Sequence, residues 1–445
     1  IISSVSGYNS AVYAGTNTAA STSGTYMLMH LFNTKLNNFN NFVNDFNLSK
    51  KWDGVKVNAG LYKGIQNVSM SWLWNSYLQE VSDNNARMID VKNALGQSLS
   101  PNGLLAYGVP AWGNCCTRNY DTQYDVTAPY AQIEINAIEK LSLDLGARYD
   151  IGNVTGSFAG GNGQTAAIDM NGNGNIDPNE QKVATVGNNI TPVDYDYNIF
   201  GYSVGANYSI NEKNAVFARI SKGGSASADR ILFSGYNYTN TDDPALDAVK
   251  VNEVKQLEGG YKLRGAGFYL NTTLFYANTL EANYEATTQR KTENDYQSVG
   301  VELDGYYRLN KTFEVRGGLT YTNAEIKDAI DKTIVGNTPR RTPKLMYNLN
   351  PNVNLGKVST GFYLIGASKA FAQDNNKLTM PAYMLVNPYL SYQFTKNLGA
   401  SINGNNIFDA IGVTEAEEGS IPANGIVRGR PLSGRSLSMS IKFDF

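Results

Sequence analysis

The sequence predicts an all-β protein, a transmembrane antiparallel β-barrel, and three observations carry that expectation. Apolar and polar residues alternate along many segments, the signature of strands with one greasy and one polar face. Short turns alternate with long polar loops along the chain, as in barrels with tight periplasmic turns and long extracellular loops. No run of 18 or more apolar residues occurs, so no helix of this sequence crosses a bilayer, whereas barrel strands average out as polar. The negative mean hydropathy agrees with the strand reading.

The elements follow in order as pairs. Ranges 42–52 and 55–80 meet at Asp53-Gly54, a strong hairpin dipeptide. Ranges 123–138 and 140–156 turn at Glu139-Lys140, and 195–210 and 215–226 at Asn211 to Asn214. Ranges 252–264 and 267–284 turn at Gly265-Ala266, and 292–309 and 313–326 at Asn310-Lys311-Thr312. Ranges 343–355 and 358–372 turn at Gly356-Lys357, 381–394 and 398–408 at Thr395-Lys396-Asn397, and 436–445 stands last. Between the pairs lie long Gly-, Asn-, Asp- and Thr-rich connections at 81–122, 157–194, 227–251, 327–342 and 409–435.

The faces fit a membrane wall better than a soluble sandwich. Leu141, Leu143, Leu145, Ala147 and Tyr149 share one face, and Ser142, Asp144, Gly146, Arg148 and Asp150 the other. A sandwich core rejects unpaired charge such as Asp144 and Arg148, because burying it is costly. A wet or plugged lumen accepts it. Phe200, Tyr202, Val204, Ala206, Tyr208 and Ile210 repeat the pattern, and so does the terminal Ser436–Phe445 run.

Fifteen strands is an odd number, whereas bacterial barrels have an even count with both ends periplasmic. The expectation is therefore about 15 strands present of about 22, the size of the large plugged transporters. Residues 1–41 become an extracellular loop and 42–445 the barrel strands, with earlier strands and a plug upstream of Ile1. The last strand then needs a partner, since an open edge is not stable within a membrane.

Composition excludes several functions. Net charge is −2 with no basic run, which argues against nucleic acid as a partner. A single histidine, His30, cannot build a histidine-based catalytic or zinc site, and no Ser-His-Asp set surrounds it. Tyr (29), Phe (17) and Gly (43) are abundant, as suits long strands with aromatic ends.

Several segments resemble a known family. Phe217 to Gly223, with its Ser221-Lys222-Gly223 end, is similar to one family strand, Glu258-Gly259-Gly260-Tyr261-Lys262 to the next, and Leu274-Phe275-Tyr276 to the one after. Ser298 to Leu303, Asn337 to Pro343, Asn405-Asn406-Ile407-Phe408-Asp409 and the terminal Phe445 follow in the family's order. On these residues the chain resembles the C-terminal part of the barrel of TonB-dependent receptors of the Bacteroidetes type. That resemblance implies an outer-membrane active transporter for a scarce nutrient: a metal chelate, vitamin, glycan or peptide. It implies TonB with its inner-membrane motor as partner, acting through a plug, and no enzyme activity. The alternative is a receptor-fold barrel serving as a structural subunit of a larger envelope complex, with a lipoprotein partner on its extracellular loops.

One motif carries sharp chemistry. Asp169 to Glu180 matches the twelve-position EF-hand calcium loop, with oxygen side chains at Asp169, Asn171, Asn173, Asp177 and Glu180 and glycine at Gly174. Asn175 would add its backbone carbonyl. Hard oxygen donors converging around a glycine turn suit Ca2+ as a structural ion in a long loop. The competing reading is an Asn/Gly-rich turn without an ion, since the flanks are not helical.

Other signals are weaker. Adjacent Cys115 and Cys116 admit a vicinal disulfide in an oxidising compartment, two free thiols, or a bond to another segment. Trp72, Trp74, Tyr77, Trp112 and Tyr120 suggest a ligand platform, set against the ordinary presence of aromatics at barrel girdles. Asp242, Asp243, Asp247, Glu415, Glu417 and Glu418 read as solvated loop charges. Gly223-Gly224 and Gly259-Gly260 read as close packing in strands rather than phosphate loops.

Overall fold

The protein is described by a computed structural model covering residues 2–21, 23–82, 85–110, 114, 117–161, 164–188, 190–227, 232, 238–239, 244–285, 290–423, 425 and 427–444. Its wall consists of β1 (Tyr26–Trp52), β2 (Val55–Glu80), β3 (Thr117–Ile138), β4 (Leu141–Gly161) and β5 (Thr191–Asn211). It continues with β6 (Asn214–Ala226), β7 (Val251–Gly265), β8 (Phe268–Glu285), β9 (Arg290–Arg308) and β10 (Phe313–Ala329). It ends with β11 (Leu345–Leu355), β12 (Val358–Ala367), β13 (Tyr383–Gln393), β14 (Leu398–Asn405) and β15 (Ser436–Phe443). These strands follow each other in chain order, and with the short Leu104–Ala106 strand paired to β2 they form one 16-stranded sheet. Among the described residues β1 pairs only with β2 and β15 only with β14, so each is an end of the path.

All fifteen expected strands are present, with one substantial correction. Residues 26–41 are wall, not loop: β1 pairs with β2 in register from Tyr26↔Glu80 to Trp52↔Val55. The reason is bookkeeping of backbone hydrogen bonds. A β2 reaching residue 80 opposite a strand starting at 42 leaves the N–H and C=O groups of residues 66–80 on that edge orphaned. The alternation that would have shown β1 is broken by a bulge between Leu36 and Asn38, which moves side chains to the other face. His30 therefore lies in a strand rather than a loop. Only residues 2–25 stay outside the wall, where Ser10–Tyr13 pairs with Ile89–Lys92 of the β2–β3 connection. Two smaller shifts are that β12 stops at Ala367, before a separate Ala370–Phe371 strand, and that β14 stops at Asn405.

The wall is uneven in height. β1 and β2 have 27 and 26 residues, whereas β14 and β15 have 8 each. A strand crosses a bilayer in roughly 9–11 residues, so the β1–β5 side projects far beyond it.

Along that tall side each strand exchanges its faces. In the turn-end half of β5, Phe200, Val204, Tyr208 and Ile210 point outward and are exposed, while Ser203, Gly205 and Asn207 line the interior. In its loop-end half Val193, Tyr195, Tyr197 and Ile199 point inward and are buried, and Asp194 and Asp196 point outward. β4 switches at the same level: Tyr149 and Ile151 are exposed outward, and Val154 is buried inward. The register Tyr149↔Phe200 and Val154↔Tyr195 aligns the two switches. The inward apolar rows form a core with Tyr120 of β3 and with Leu232, Tyr238, Leu246 and Val249 of the long β6–β7 connection.

Interior charges in the turn-end half are paired. Asp144 of β4 reaches Arg219 of β6 at 3.0 Å across β5. Gly205 makes room for this bridge, because a Cβ there would lie 2.4 Å from Asp144 Oδ2. Arg148 binds Asp150 at 2.6 Å and stacks 4.8 Å from the Tyr62 ring centre. Paired and wet, these charges are tolerated where isolated ones would not be.

Candidate functional site

The loop end of the wall carries the features that can meet a ligand. Even-numbered residues of β2 face inward, so Met70, Trp72 and Trp74 form a row beside Tyr120 and Arg118 of β3. Phe32 of β1 stands edge-on to Trp74 at 4.1 Å and to Trp72 at 5.4 Å, and the two indoles stack at 6.1 Å. The Arg118 guanidinium lies 3.6 Å over the Trp72 ring and 5.4 Å over Tyr120. Arg118 and Tyr120 are buried, while Phe32 is 60% exposed, so the accessible part of this surface is aromatic and the cation stiffens it from behind.

Of the expected platform, Trp72, Trp74 and Tyr120 come together here. Tyr77 faces away from this row along β2, and Trp112 lies outside the described residues. Phe32 and Arg118 were missed because their segments read as loop. The alternation of Thr117 to Asp121 is the signal that would have recovered Arg118.

The 169–180 segment folds as a compact turn in the β4–β5 connection. Asp169 accepts backbone N–H bonds from Gly172 (2.7 Å), Asn173 (3.2 Å) and Gly174 (2.8 Å). Gly172 and Gly174 have φ of 71° and 82°, left-handed values that favour glycine. Asn171 and Asn173 each donate an amide hydrogen to Asp177 Oδ2, at 2.8 and 2.9 Å. Glu180 is fully buried beneath the turn and accepts from Met170, Asn171 and Asp177 N–H at 3.0–3.1 Å. The structure thus brings Asp169, Asn171, Asn173 and Asp177 together on the open side, while Glu180 holds the turn's base. Asn175 N–H is bonded to Asn173 Oδ1 at 2.7 Å. Among the described residues no three His, Cys, Asp or Glu side chains converge on one point.

This turn is docked on the neighbouring loop. Asn179 donates to Leu104 O at 3.4 Å, and Ala184 N–H to Tyr107 O at 2.7 Å. Burial first, then the Glu180 carboxylate, pushes the Tyr107 phenol above its ordinary range.

On the other side of the mouth three connections lock together. Arg341 binds Glu415 at 2.5 Å and Glu417 at 3.7 Å, Arg430 binds Glu415 at 3.2 Å, and Arg428 binds Glu418 at 2.5 Å. Glu415, Glu417 and Glu418 are therefore clamps of the final loop rather than solvated charges. Sequence spacing hid this, because Arg341 is far from them along the chain. Asp374 accepts from Arg340 N–H at 2.8 Å, and Asn376 exchanges bonds with Thr338. A cavity of about 580 Å³ opens beside this knot, with Lys291, Arg340, Lys377, Asp331, Asp374 and Glu417 on its walls.

The remaining candidates are placed as follows. Asp247 pairs with Lys250 at 2.6 Å, and Asp242 and Asp243 lie outside the described residues. Cys115 and Cys116 lie outside them too. Gly260 sits under the Phe217 ring, where a Cβ would be 2.5 Å from Phe217 Cε1, as the close-packing reading required. His30 Nδ1 lies 3.0 Å from Ser76 Oγ. Ser76 spends its hydroxyl hydrogen on Gly108 O at 2.8 Å, so His30 Nδ1 is the donor.

Comparison with known proteins agrees with this architecture. The family model "TonB dependent receptor-like, beta-barrel" matches residues 3–407. The rhizobactin receptor of Rhizobium meliloti (strain 1021) is 26% identical over 227 residues, covering 47% of this chain and 28% of that protein. The ferric-pyoverdine BN7/BN8 receptor of Pseudomonas putida is 30% identical over 161 residues, covering 34% and 20%. The matches thus span less than a third of the length of either relative. Among solved structures, the ferric preacinetobactin receptor BauA of Acinetobacter baumannii superposes with TM-score 0.58 at 13% identity, over 97% of this chain and 58% of that one. The ferric yersiniabactin uptake receptor FyuA of Yersinia pestis gives TM-score 0.57 at 13% identity, over 96% and 60%. The outward apolar band, the paired interior charges and the long loops at one end are those of an outer-membrane wall, and the chain belongs to the TonB-dependent receptor-like β-barrel family.

Proposed function

We propose that this chain is the wall and outer mouth of a TonB-dependent transporter that takes up a metal chelate across the outer membrane. The observation that carries the reading is the aromatic surface of exposed Phe32 and half-buried Trp72 and Trp74 facing inward at the mouth, above a lumen whose turn-end half is lined by polar and charged residues. An aromatic wall suits the flat, often aromatic arms of a chelator, and one relative is named as a ferric-pyoverdine receptor. A metal wrapped in such a ligand docks by apolar contact and stacking. Release inward requires work from TonB acting on the plug of the full receptor. The test is uptake of radiolabelled ferric chelates by cells carrying the full receptor or its Trp74→Ala variant, with and without TonB. The reading predicts TonB-dependent uptake that falls at least several-fold in the variant. Equal uptake in cells lacking the receptor, for every chelate tried, would overturn it.

The same proposal includes Ca2+ at Asp169, Asn171, Asn173 and Asp177, with the Asn175 carbonyl. Two carboxylates and two amides are hard donors suited to that ion. Turning each amide so that its oxygen faces the centre gives up the bonds from Asn173 N–H to Asn171 Oδ1 (3.0 Å) and from Asn175 N–H to Asn173 Oδ1 (2.7 Å), a cost that the ion's own coordination has to offset. Glu180 contributes by fixing the turn from beneath. Affinity in the range of extracellular modules, about 10⁻⁴–10⁻³ M, is expected with so few carboxylates. Calcium titration should protect residues 164–188 of the wild type from proteolysis but not those of Asp169→Ala. Equal protection in both would remove the ion from the account.

A further inference from the structure

The outer surface of the tall wall holds a groove of mixed polar and apolar lining that the transport reading does not use. Odd-numbered residues of β2, β3 and β4 face outward, on the side of Leu61 and Ile151. Near the loop end this side presents Ser69 and Ser71, Asn119 and Asp121, and Ser157 in cross-strand register, with Val186, Asn188 and Ile190 closing the groove from the β4–β5 connection. They line a groove of about 470 Å³. Ser69 lies eight residues beyond Leu61 along β2, which for a tilted strand is about 20 Å further from the hydrocarbon. That is the depth of sugar headgroups, not of acyl chains.

Two features mark the groove as a binding surface rather than plain wall. In the next three outward rows toward the membrane, polar side chains satisfy each other: Gln123 donates to Asn67 at 2.8 Å, Asn153 to Asp196 at 2.7 Å, and Lys63 to Asp125 and Thr127. In the groove none of the six named polar side chains makes a hydrogen bond within the described residues, so their donors and acceptors are free for a ligand. The lining also lacks any lysine or arginine and includes the Asp121 carboxylate. It disfavours phosphate and acidic sugars, whose charge would meet no counter-ion.

The geometry points to a saccharide site on the outside of the wall, taking neutral sugar units of the outer-leaflet glycolipid. Serine hydroxyls and asparagine amides both donate and accept, as sugar hydroxyls require. A carboxylate accepts from a pair of neighbouring hydroxyls. Residence in the outer leaflet puts such sugars beside the groove at high local concentration, so weak individual bonds suffice.

The test uses the full receptor in detergent, with two probes: the neutral core oligosaccharide freed from the outer-membrane glycolipid, and its lipid anchor without sugars. Saturation-transfer NMR should detect the oligosaccharide on wild type. The signal should fall at least fivefold in an Asn119→Leu, Ser157→Leu double variant and persist in Asn198→Leu, an outward substitution away from the groove. Equal signal in the double variant, or binding of the sugar-free anchor alone, would overturn the site. Chelate uptake by the same variants reads the transport proposal separately and should be unchanged.

Discussion

The two halves of β2–β5 share strands, register and twist, yet they solve opposite problems. Near the turns, apolar side chains face out and paired charges face in. Near the loops, apolar side chains face in and polar ones face out. The switch falls at one level across neighbouring strands, between Phe200 and Ile199 on β5 and between Ile151 and Val154 on β4. A uniform solvent cannot produce it. Lipid outside the lower half rewards outward Leu, Ile and Phe, and requires every backbone group to be paired within the sheet. Water outside the upper half returns the strands to soluble logic, in which the apolar face needs a core, and the inward Leu246 and Val249 supply it. The membrane boundary is therefore written in the side chains themselves.

Substitutions break the comparison from either side. In the upper half, Leu246→Ala should cost about 2–5 kcal/mol of local stability, the range for a buried large-to-small change. Faster hydrogen exchange at residues 244–250, with the lower wall unaffected, would show it. In the lower half, Leu145→Arg should cost about 2–4 kcal/mol if its site lies near the bilayer midplane. Refolding into vesicles measures this, and Thr155→Arg, outward but above the switch, should stay within about 0.5 kcal/mol. Ser76→Ala at the mouth should cost about 1–3 kcal/mol, because it strands the Gly108 carbonyl and the His30 N–H.

A smaller effect is set by pH. Burial, then the Arg428 guanidinium, holds the His30 imidazole below its usual range. His30 sits at the loop end of β1, opposite Ser76 and well above the switch. Folding thus favours the neutral ring. Its contribution is complete above the unfolded value of about 6.5 and is lost as pH falls below that toward the folded value. Hydrogen exchange around Ser76 and Gly108 should rise on acidification from pH 7.5 to 5, and His30→Gln should flatten that response.

Much of the wall was legible in the sequence, because its lower half obeys one rule. Strands such as Leu141–Tyr149 and Ser436–Phe443 repeat with period two, and tight dipeptides such as Asp53-Gly54 mark their ends. What escaped was governed by partners rather than by pattern. β1 from Tyr26 to Asn41 is rich in asparagine and interrupted by a bulge, and its strand character comes from pairing with β2. The upper aromatic platform was anticipated at Trp72, Trp74 and Tyr120, but Phe32 and Arg118, which complete it, lie in segments that read as loop. The clamps joining Arg341 to Glu415 and Glu417 depend on loops meeting in space. Within the candidate calcium turn, spacing anticipated the gathering of Asp169, Asn171, Asn173 and Asp177, but not that Glu180 would be committed to backbone N–H groups.

The central claim is the position of the lipid boundary, and one scan along β5 tests it directly. Single spin labels at each position from 194 to 210, in the full receptor carrying Cys115→Ser and Cys116→Ser and reconstituted in bilayers, report contact with oxygen and with a water-soluble nickel chelate. The account predicts high oxygen contact at positions 200, 204, 208 and 210, and high nickel contact at 194, 196 and 198 on the same outward face. Uniform nickel contact along all the even positions, or oxygen contact continuing to 194, would contradict it.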